Sequence, residues 1–260
     1  MLAALALILC TSCELPAAPI TAVDAGSVDV ELVLAVDVSS SMDEGEFALQ
    51  RAGYVKALRH PDFITAVQSG VRGRIAVTYF EWAGSVLQDS IIPWQIIDSP
   101  ESADDFADKL AQRPIVGSGG TSISNAVAFG ADLLEQNGFR AEKKVIDISG
   151  DGPNNTGAPV EVARNNAVAN GIVINGLPIL IHPTETLEGI DRYYADCVTG
   201  GPGSFVLPVH VASEFVTAIR RKLVLEISGL TPGPGPAALK PVNLVKCMVG
   251  ENYRLVYPKP

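Results

Sequence analysis

Between Asp29 and about Leu230 the chain alternates short, wholly apolar runs with longer stretches whose apolar residues recur at helical spacing. Glu31–Val38 (ELVLAVDV) is apolar on both faces from Leu32 to Val36, as a central parallel strand covered on both sides requires. Asp43–Leu58 reads as a helix, Arg74–Trp82 as a second strand, and Ser85–Ile97 as a shorter strand returning along an edge. Ser99-Pro100 has the form of a helix start, with Ser99 capping and Pro100 in the first helical position. Ile123, Val127, Gly130 and Leu134 then make one apolar stripe along a helix. Lys144–Ser149 predicts a strand, Pro159–Asn170 a helix and Ile172–Ile181 a strand. Glu185–Cys197 is helical in pattern, Ser204–Val209 reads as a last strand, and Val211–Leu225 as a last helix.

Strands that alternate with helices pair in parallel through right-handed crossovers. The expected fold is therefore α/β: a doubly wound, mostly parallel open sheet, helices on both faces, with one short antiparallel edge strand. The expected divisions are a leader or tether over 1–28, the α/β domain over 29–230, and a Pro/Gly-rich linker and tail over 231–260. In that tail TPGPGP holds neither helix nor central strand, while Val242–Met248 and Tyr253–Tyr257 read either as a hairpin or as disordered.

Composition narrows the class. Hydrophobic residues make up 47% of the 260 and charged residues 18%, which excludes disorder for the bulk of the chain. The formal charge of -10, with no Lys/Arg stripe interleaved with aromatics, argues against a nucleic-acid partner. Leu2–Cys10 is too short to span a bilayer and matches the core of a signal peptide, with small residues following and a cleavage point after Ala25. Cys13 loosely resembles a bacterial lipoprotein cysteine, so the N-terminal segment could instead tether the chain to a membrane. Either reading predicts an exported protein of the periplasm, cell envelope or extracellular space. Cys197 and Cys247 lie outside the leader and could pair in an oxidising compartment, although sequence alone does not bring them together. His60, His182 and His210 are scattered and suggest no zinc site.

Ligands of a doubly wound sheet bind beyond the C-terminal ends of its strands. Three unusual segments fall there: Asp37-Val38-Ser39-Ser40-Ser41, Gly117-Ser118-Gly119-Gly120-Thr121, and Gly150-Asp151-Gly152-Pro153-Asn154-Asn155. Taken singly they have ordinary explanations. Ser41 with Glu44 has capping-box spacing, Thr121 suits an N-cap, and Asp151-Gly152-Pro153 suits a turn. Gly117–Gly120 lacks the Lys of a phosphate-cradling loop. Asp37 is different, because it ends a strand expected to be buried on both faces. Even a neutral polar group costs about 2–7 kcal/mol to bury without partners.

Taken in order, Asp-x-Ser-x-Ser after the first strand, Gly-Gly-Thr before a helix and Asp-Gly after a later strand resemble the metal-ion-dependent adhesion site of von Willebrand factor A (vWA) domains. The resemblance covers roughly Asp29–Leu230. More narrowly the chain is similar to exported bacterial proteins built on that domain, through ELVLAVDVSSSMDEGEF, ISGDGPNN, YYADCVTGGPGSF and AIRRKLVLEI. It implies a divalent cation, Mg²⁺ with Mn²⁺ or Ca²⁺ as alternatives, held directly by the hydroxyls of Ser39, Ser41 and Thr121. Asp37 and Asp151 would act mainly through bound water. The remaining position would take an Asp or Glu carboxylate from a protein partner.

A metal-dependent protein-binding module is thus the expected function, and no catalytic residues are assigned. Two alternatives stand beside it. A metal-assisted phosphatase or hydrolase would usually place a second Asp where Ser39 stands, and no Gly-x-Ser-x-Gly elbow or suitably placed histidine appears. A structural domain with an empty site would show no response to metal.

Overall fold

In the computed structural model, which describes residues 26–114, 116–117, 119–181, 189–230 and 246–256, the apolar run at the start of the domain becomes the central strand. This strand, β1 (Val30–Asp37), lies between β2 (Ile75–Trp82) and β4 (Lys143–Gly150), parallel to both. β3 (Val86–Ile97) pairs antiparallel outside β2, and β5 (Ile172–Pro178) pairs parallel outside β4, giving the order β3-β2-β1-β4-β5. The edge strand matches the expected Ser85–Ile97 to within one residue, but at 12 residues it is the longest of the five rather than a short one, and its register shifts twice against β2. Ser204–Val209 does not form a further strand. Val206 and Val209 make only isolated bridges to Gly176 and Ile179.

Every residue of β1 is buried, and its alternate side chains enter two separate cores. Leu32, Leu34 and Val36 pack beneath α1 (Glu44–Leu58), α2 (Pro61–Gln68), α3 (Pro100–Ala111) and α7 (Phe215–Ser228), among Tyr54, Phe63, Phe106 and Phe215. Val33 and Ala35 pack on the other face beneath α4 (Ile123–Glu135) and α5 (Val160–Ala169), with Val127, Leu134 and Val160. Each buried Leu or Val contributes about 1.5–3 kcal/mol, so a strand serving two cores stabilises both faces of the sheet. The stripe of Ile123, Val127, Gly130 and Leu134 is buried as its spacing predicts. At Gly130 a Cβ would sit 3.1 Å from the Ile146 side chain, so the small residue lets α4 approach β4.

Beyond β5 the chain forms a short helix, α6 (Ile190–Tyr193), that widens into a π-helical turn over Tyr194–Val198. Glu185 and its neighbours at 182–188 lie outside the described residues, so only the second half of the expected Glu185–Cys197 helix is observed. Cys197 and Cys247 form a disulfide with Cα atoms 5.5 Å apart. It closes a loop of sequence separation 50, worth about 4 kcal/mol on a chain-entropy basis. Past it lies α8 (Val249–Val256), so over 253–256 neither of the two readings, hairpin strand or disorder, holds. Helix formation starts just past the disulfide, where the chain is anchored to the body of the domain. The expected leader features (Leu2–Cys10, Cys13, Ala25), with most of the linker, lie outside the described residues. Among the described residues no helix is long and apolar enough to cross a membrane.

Candidate metal centre

β1 and β4 are neighbours whose connections leave in opposite directions, so their C-terminal ends open a crevice at the switch point of the sheet. Asp37 ends β1 in that crevice with no exposed surface. Its carbonyl accepts a 2.8 Å bond from Gln50 Nε2 of α1, and its Oδ1 accepts from Ser39 N–H at 2.7 Å. Asp37 Oδ2 is buried and has no hydrogen-bond partner. Gly150 permits this packing, because a Cβ there would stand 2.6 Å from Asp37 Oδ2.

After Asp37 the chain turns, Met42 N–H bonding to Ser39 C=O at 3.1 Å. The cap of α1 is Asp43, not Ser41. Asp43 Oδ1 accepts from Glu46 N–H at 2.8 Å, and Glu46 Oε2 accepts from Asp43 N–H at 2.9 Å. Ser41 is thereby released from the capping role its spacing to Glu44 suggests. The same displacement occurs at α4, whose N-cap is Ser122, accepting from Asn125 N–H at 3.4 Å. Thr121, one residue earlier, is free to turn its hydroxyl toward the crevice. Its backbone is held by Asn155, which accepts from Thr121 N–H through Oδ1 at 2.9 Å and donates its own N–H to Thr121 C=O at 2.8 Å. Gly120 reaches Thr121 with φ of +76°, a conformation that favours glycine.

The structure brings all five expected residues together. Ser39 Oγ lies 3.0 Å from Ser41 Oγ, and Thr121 Oγ1 donates to Ser39 Oγ at 3.3 Å. Ser41 Oγ donates to Asp151 Oδ1 at 2.6 Å. Gly152 faces the same cluster, a Cβ at that position falling 3.9 Å from Ser41 Oγ and 4.0 Å from Thr121 Oγ1.

Electrostatics make the cluster unusual. Burial pushes the Asp37 carboxyl well above its ordinary range, and the nearby Asp151 charge pushes it further. Burial raises Asp151 to about 6, opposed by its bond from Ser41 and reinforced by Glu46. Two carboxyls that resist ionisation, with three hydroxyls between them, call for positive charge. A cation would restore both to their charged forms. The hydroxyl spacings also suit it: neighbouring octahedral ligands, each about 2.1 Å from one Mg²⁺, stand about 3 Å apart. Among the described residues no three His, Cys, Asp or Glu side chains converge on a point, so this set is hydroxyl-rich rather than carboxylate-rich.

Sequence reasoning gave no role to Tyr194, Asn154 or Asn155. Tyr194 is fully buried, its hydroxyl lacks a partner, and burial followed by the Asp37 charge raises its pKa. Nothing in the local pattern YYADC marks it, because its position depends on the π-helical turn. The Asn pair was visible in GDGPNN, but its contacts run to α4, far away in sequence.

The fold recurs in solved structures. Proximal thread matrix protein 1 of the mussel byssus, in a form with a zinc-occupied MIDAS motif, superposes with a TM-score of 0.55 at 17% identity, covering 78% of this chain and 48% of that one. The pilus adhesin SpaC of Lactobacillus rhamnosus GG gives 0.54 at 16%, covering 77% and 30%. A von Willebrand factor type A protein of Catenulispora acidiphila gives 0.52 at 14%, covering 77% and 43%. The chain spans less than half the length of each, and at such identities the likeness establishes a vWA-type fold alone. No curated protein matches the sequence. Residues 27–231 match the family described as "Protein of unknown function (DUF1194)", and the chain belongs to that family.

Proposed function

We propose that this protein is an exported, divalent-cation-dependent protein-binding module whose ligand is an acidic side chain of a partner. The observation that carries the reading is Asp37 Oδ2, wholly buried and without a hydrogen-bond partner, beside three hydroxyls and a second carboxylate drawn from three separate turns. Ser39, Ser41 and Thr121 would hold the cation directly, and Asp37 and Asp151 would balance its charge from behind. When bound, the ion supplies a Lewis-acidic centre that neutral hydroxyls leave electron-poor, and so attractive to a carboxylate from outside. Mg²⁺ is the proposed ion, since the oxygen donors are hard and few are carboxylates. The zinc-occupied motif of the byssus protein, and the adhesin among the neighbours, support a cation and a protein ligand without naming either here. The Cys197–Cys247 bond supports export, because disulfides persist in oxidising compartments.

Thermal melting in Mg²⁺ or Mn²⁺ against chelator tests this. A cation bound only by the native state adds about 2.7 kcal/mol at a hundredfold excess over its dissociation constant. Asp37→Asn should lose that response while melting higher than wild type in chelator, because it removes a carboxyl whose ionisation burial and Asp151 both oppose. A wild-type melt indifferent to every divalent ion sinks the reading.

A further inference from the structure

The C-terminal helix α8 lies beyond the residues matched by the family, 27–231, yet it packs on the loop that carries Asp151. The disulfide fixes the start of this helix to the π-helical turn beside Tyr193 and Tyr194. Tyr193 continues the connection, its hydroxyl donating to Cys247 C=O at 3.3 Å and accepting from Asn154 N–H at 3.2 Å. At Gly250 a Cβ would fall 2.2 Å from Asn154 O and 3.0 Å from Pro153 Cγ, so helix backbone presses directly on loop backbone. Glu251 completes the contact, its Oε1 accepting from Asn154 Nδ2 at 2.7 Å.

Asn154 is a fully buried junction. Its Oδ1 accepts from Ser124 N–H in the first turn of α4 at 3.0 Å, and its Nδ2 also reaches Ala158 C=O at 3.1 Å. Asn155, the next residue, grips Thr121 through both backbone and side chain. One short loop therefore bears Asp151 at its start, holds Thr121 at its end, and is clamped in the middle by α8.

We propose that Glu251, delivered by the disulfide-anchored α8, is a positioning residue of the candidate metal centre, so that metal affinity depends on the Cys197–Cys247 bond. The inference rests on the metal-binding reading above. It adds a support that acts through Asn154 and the Asp151–Asn155 loop and touches no metal. Fixing the loop before the ion arrives removes an ordering cost from binding, and loss of such outer contacts typically weakens metal sites 10–100-fold.

The test is Mn²⁺ titration of the full chain by calorimetry at 25 °C, with apo melting temperatures recorded in parallel. Glu251→Ala, the double variant Cys197→Ser/Cys247→Ser, and wild type in a non-chelating phosphine reductant should each bind Mn²⁺ about 10-fold more weakly or worse. Glu251→Gln should stay near wild type, because its amide oxygen still accepts from Asn154. Melting temperatures that fall while every dissociation constant stays within about 2-fold of wild type would make α8 structural only, overturning the proposal and leaving the metal site standing. Should removal of the disulfide unfold the chain, Glu251→Ala alone decides between these outcomes. Wild type that takes up no divalent ion, Mn²⁺ and Mg²⁺ included, removes the metal reading and this proposal together.

Discussion

Two clusters of buried acid sit on neighbouring strands of the same sheet, on opposite faces, and the chain treats them differently. On the face of α7, Asp147 of β4 and Glu226 of α7 are fully buried, and Lys222, also fully buried, lies between them. Lys222 Nζ stands 2.7 Å from Asp147 Oδ1 and bonds Glu226 Oε1, which also accepts from Asn175 Nδ2 at 3.1 Å. On the face of α4, Asp37 and Asp151 have hydroxyls and backbone N–H groups but no cationic side chain among their contacts. Where the acids serve the fold, the chain supplies the counter-charge itself. Where, on the proposed reading, they serve a ligand, the counter-charge would come from outside. The contrast is what distinguishes a structural ion cluster from a binding site, since burial alone raises acid pKa values in both.

The sharpest way to break this contrast is to remove the internal cation. Lys222→Met keeps the length and apolar stem of the side chain but leaves two buried acids without their partner. Breaking a buried pair in this way costs about 3–5 kcal/mol. Urea denaturation should show that loss, and added Mg²⁺ should not reverse it, because Asp147 and Glu226 have no exposed surface for an ion to reach. A Lys222→Met chain as stable as wild type would mean that the acids are held neutral and that Lys222 is not their counter-ion.

Glu226 allows a gentler version. Burial first, and then the Asp147 charge, raise its carboxyl to about 7 from an ordinary 4.5, against the opposing pull of Lys222. Asp147 is raised as well, again chiefly by burial. Between those two values the folded chain holds a proton on Glu226 that the unfolded chain has released. The benefit is complete below about pH 4.5 and is lost as pH rises through 7, so Glu226 makes stability fall across that window. Glu226→Gln should flatten the slope by an amount on the order of 2 kcal/mol between pH 5 and 8, read from urea midpoints. An unchanged slope would place the titration elsewhere.

The two regions also differ in how much the sequence reveals. The apolar run from Leu32 to Val36 announces a strand buried on both faces, and Asp37 at its end is conspicuous for that reason. The three turns could be assembled because a doubly wound sheet gathers its strand ends at one edge. The ion cluster on α7 was not legible. Lys222 stands in RRKL, a charged stretch that reads as a solvated helix face, and only the packing of α7 on the sheet buries it. Capping was ambiguous for a simpler reason: Ser41–Glu44 and Asp43–Glu46 have identical spacing, and the helix start decides between them. The expected helix ended at Leu58, and α2, a separate helix of eight residues starting at Pro61, was not among the expected elements. The disulfide and the α8 contacts depend on distances between remote segments, which local patterns do not carry.

The finest separation lies between two adjacent residues, Thr121, the proposed ligand, and Ser122, the observed cap. Ser122 Oγ serves the first turn of α4, so Ser122→Ala should cost about 1 kcal/mol in chelator, as typical N-cap losses do. The metal-induced rise in melting temperature should survive that change. Thr121→Val removes a hydroxyl that donates to Ser39 Oγ at 3.3 Å and keeps the shape of the side chain. It should leave stability in chelator within about 1 kcal/mol of wild type, the usual net value of one hydrogen bond, and abolish most of the response to Mg²⁺. The crossed pattern matters more than either value. If Ser122→Ala loses the metal response and Thr121→Val keeps it, the hydroxyl facing the crevice has been misassigned by one residue. The Gly-Gly-Thr loop would then be a helix start and no part of a metal site.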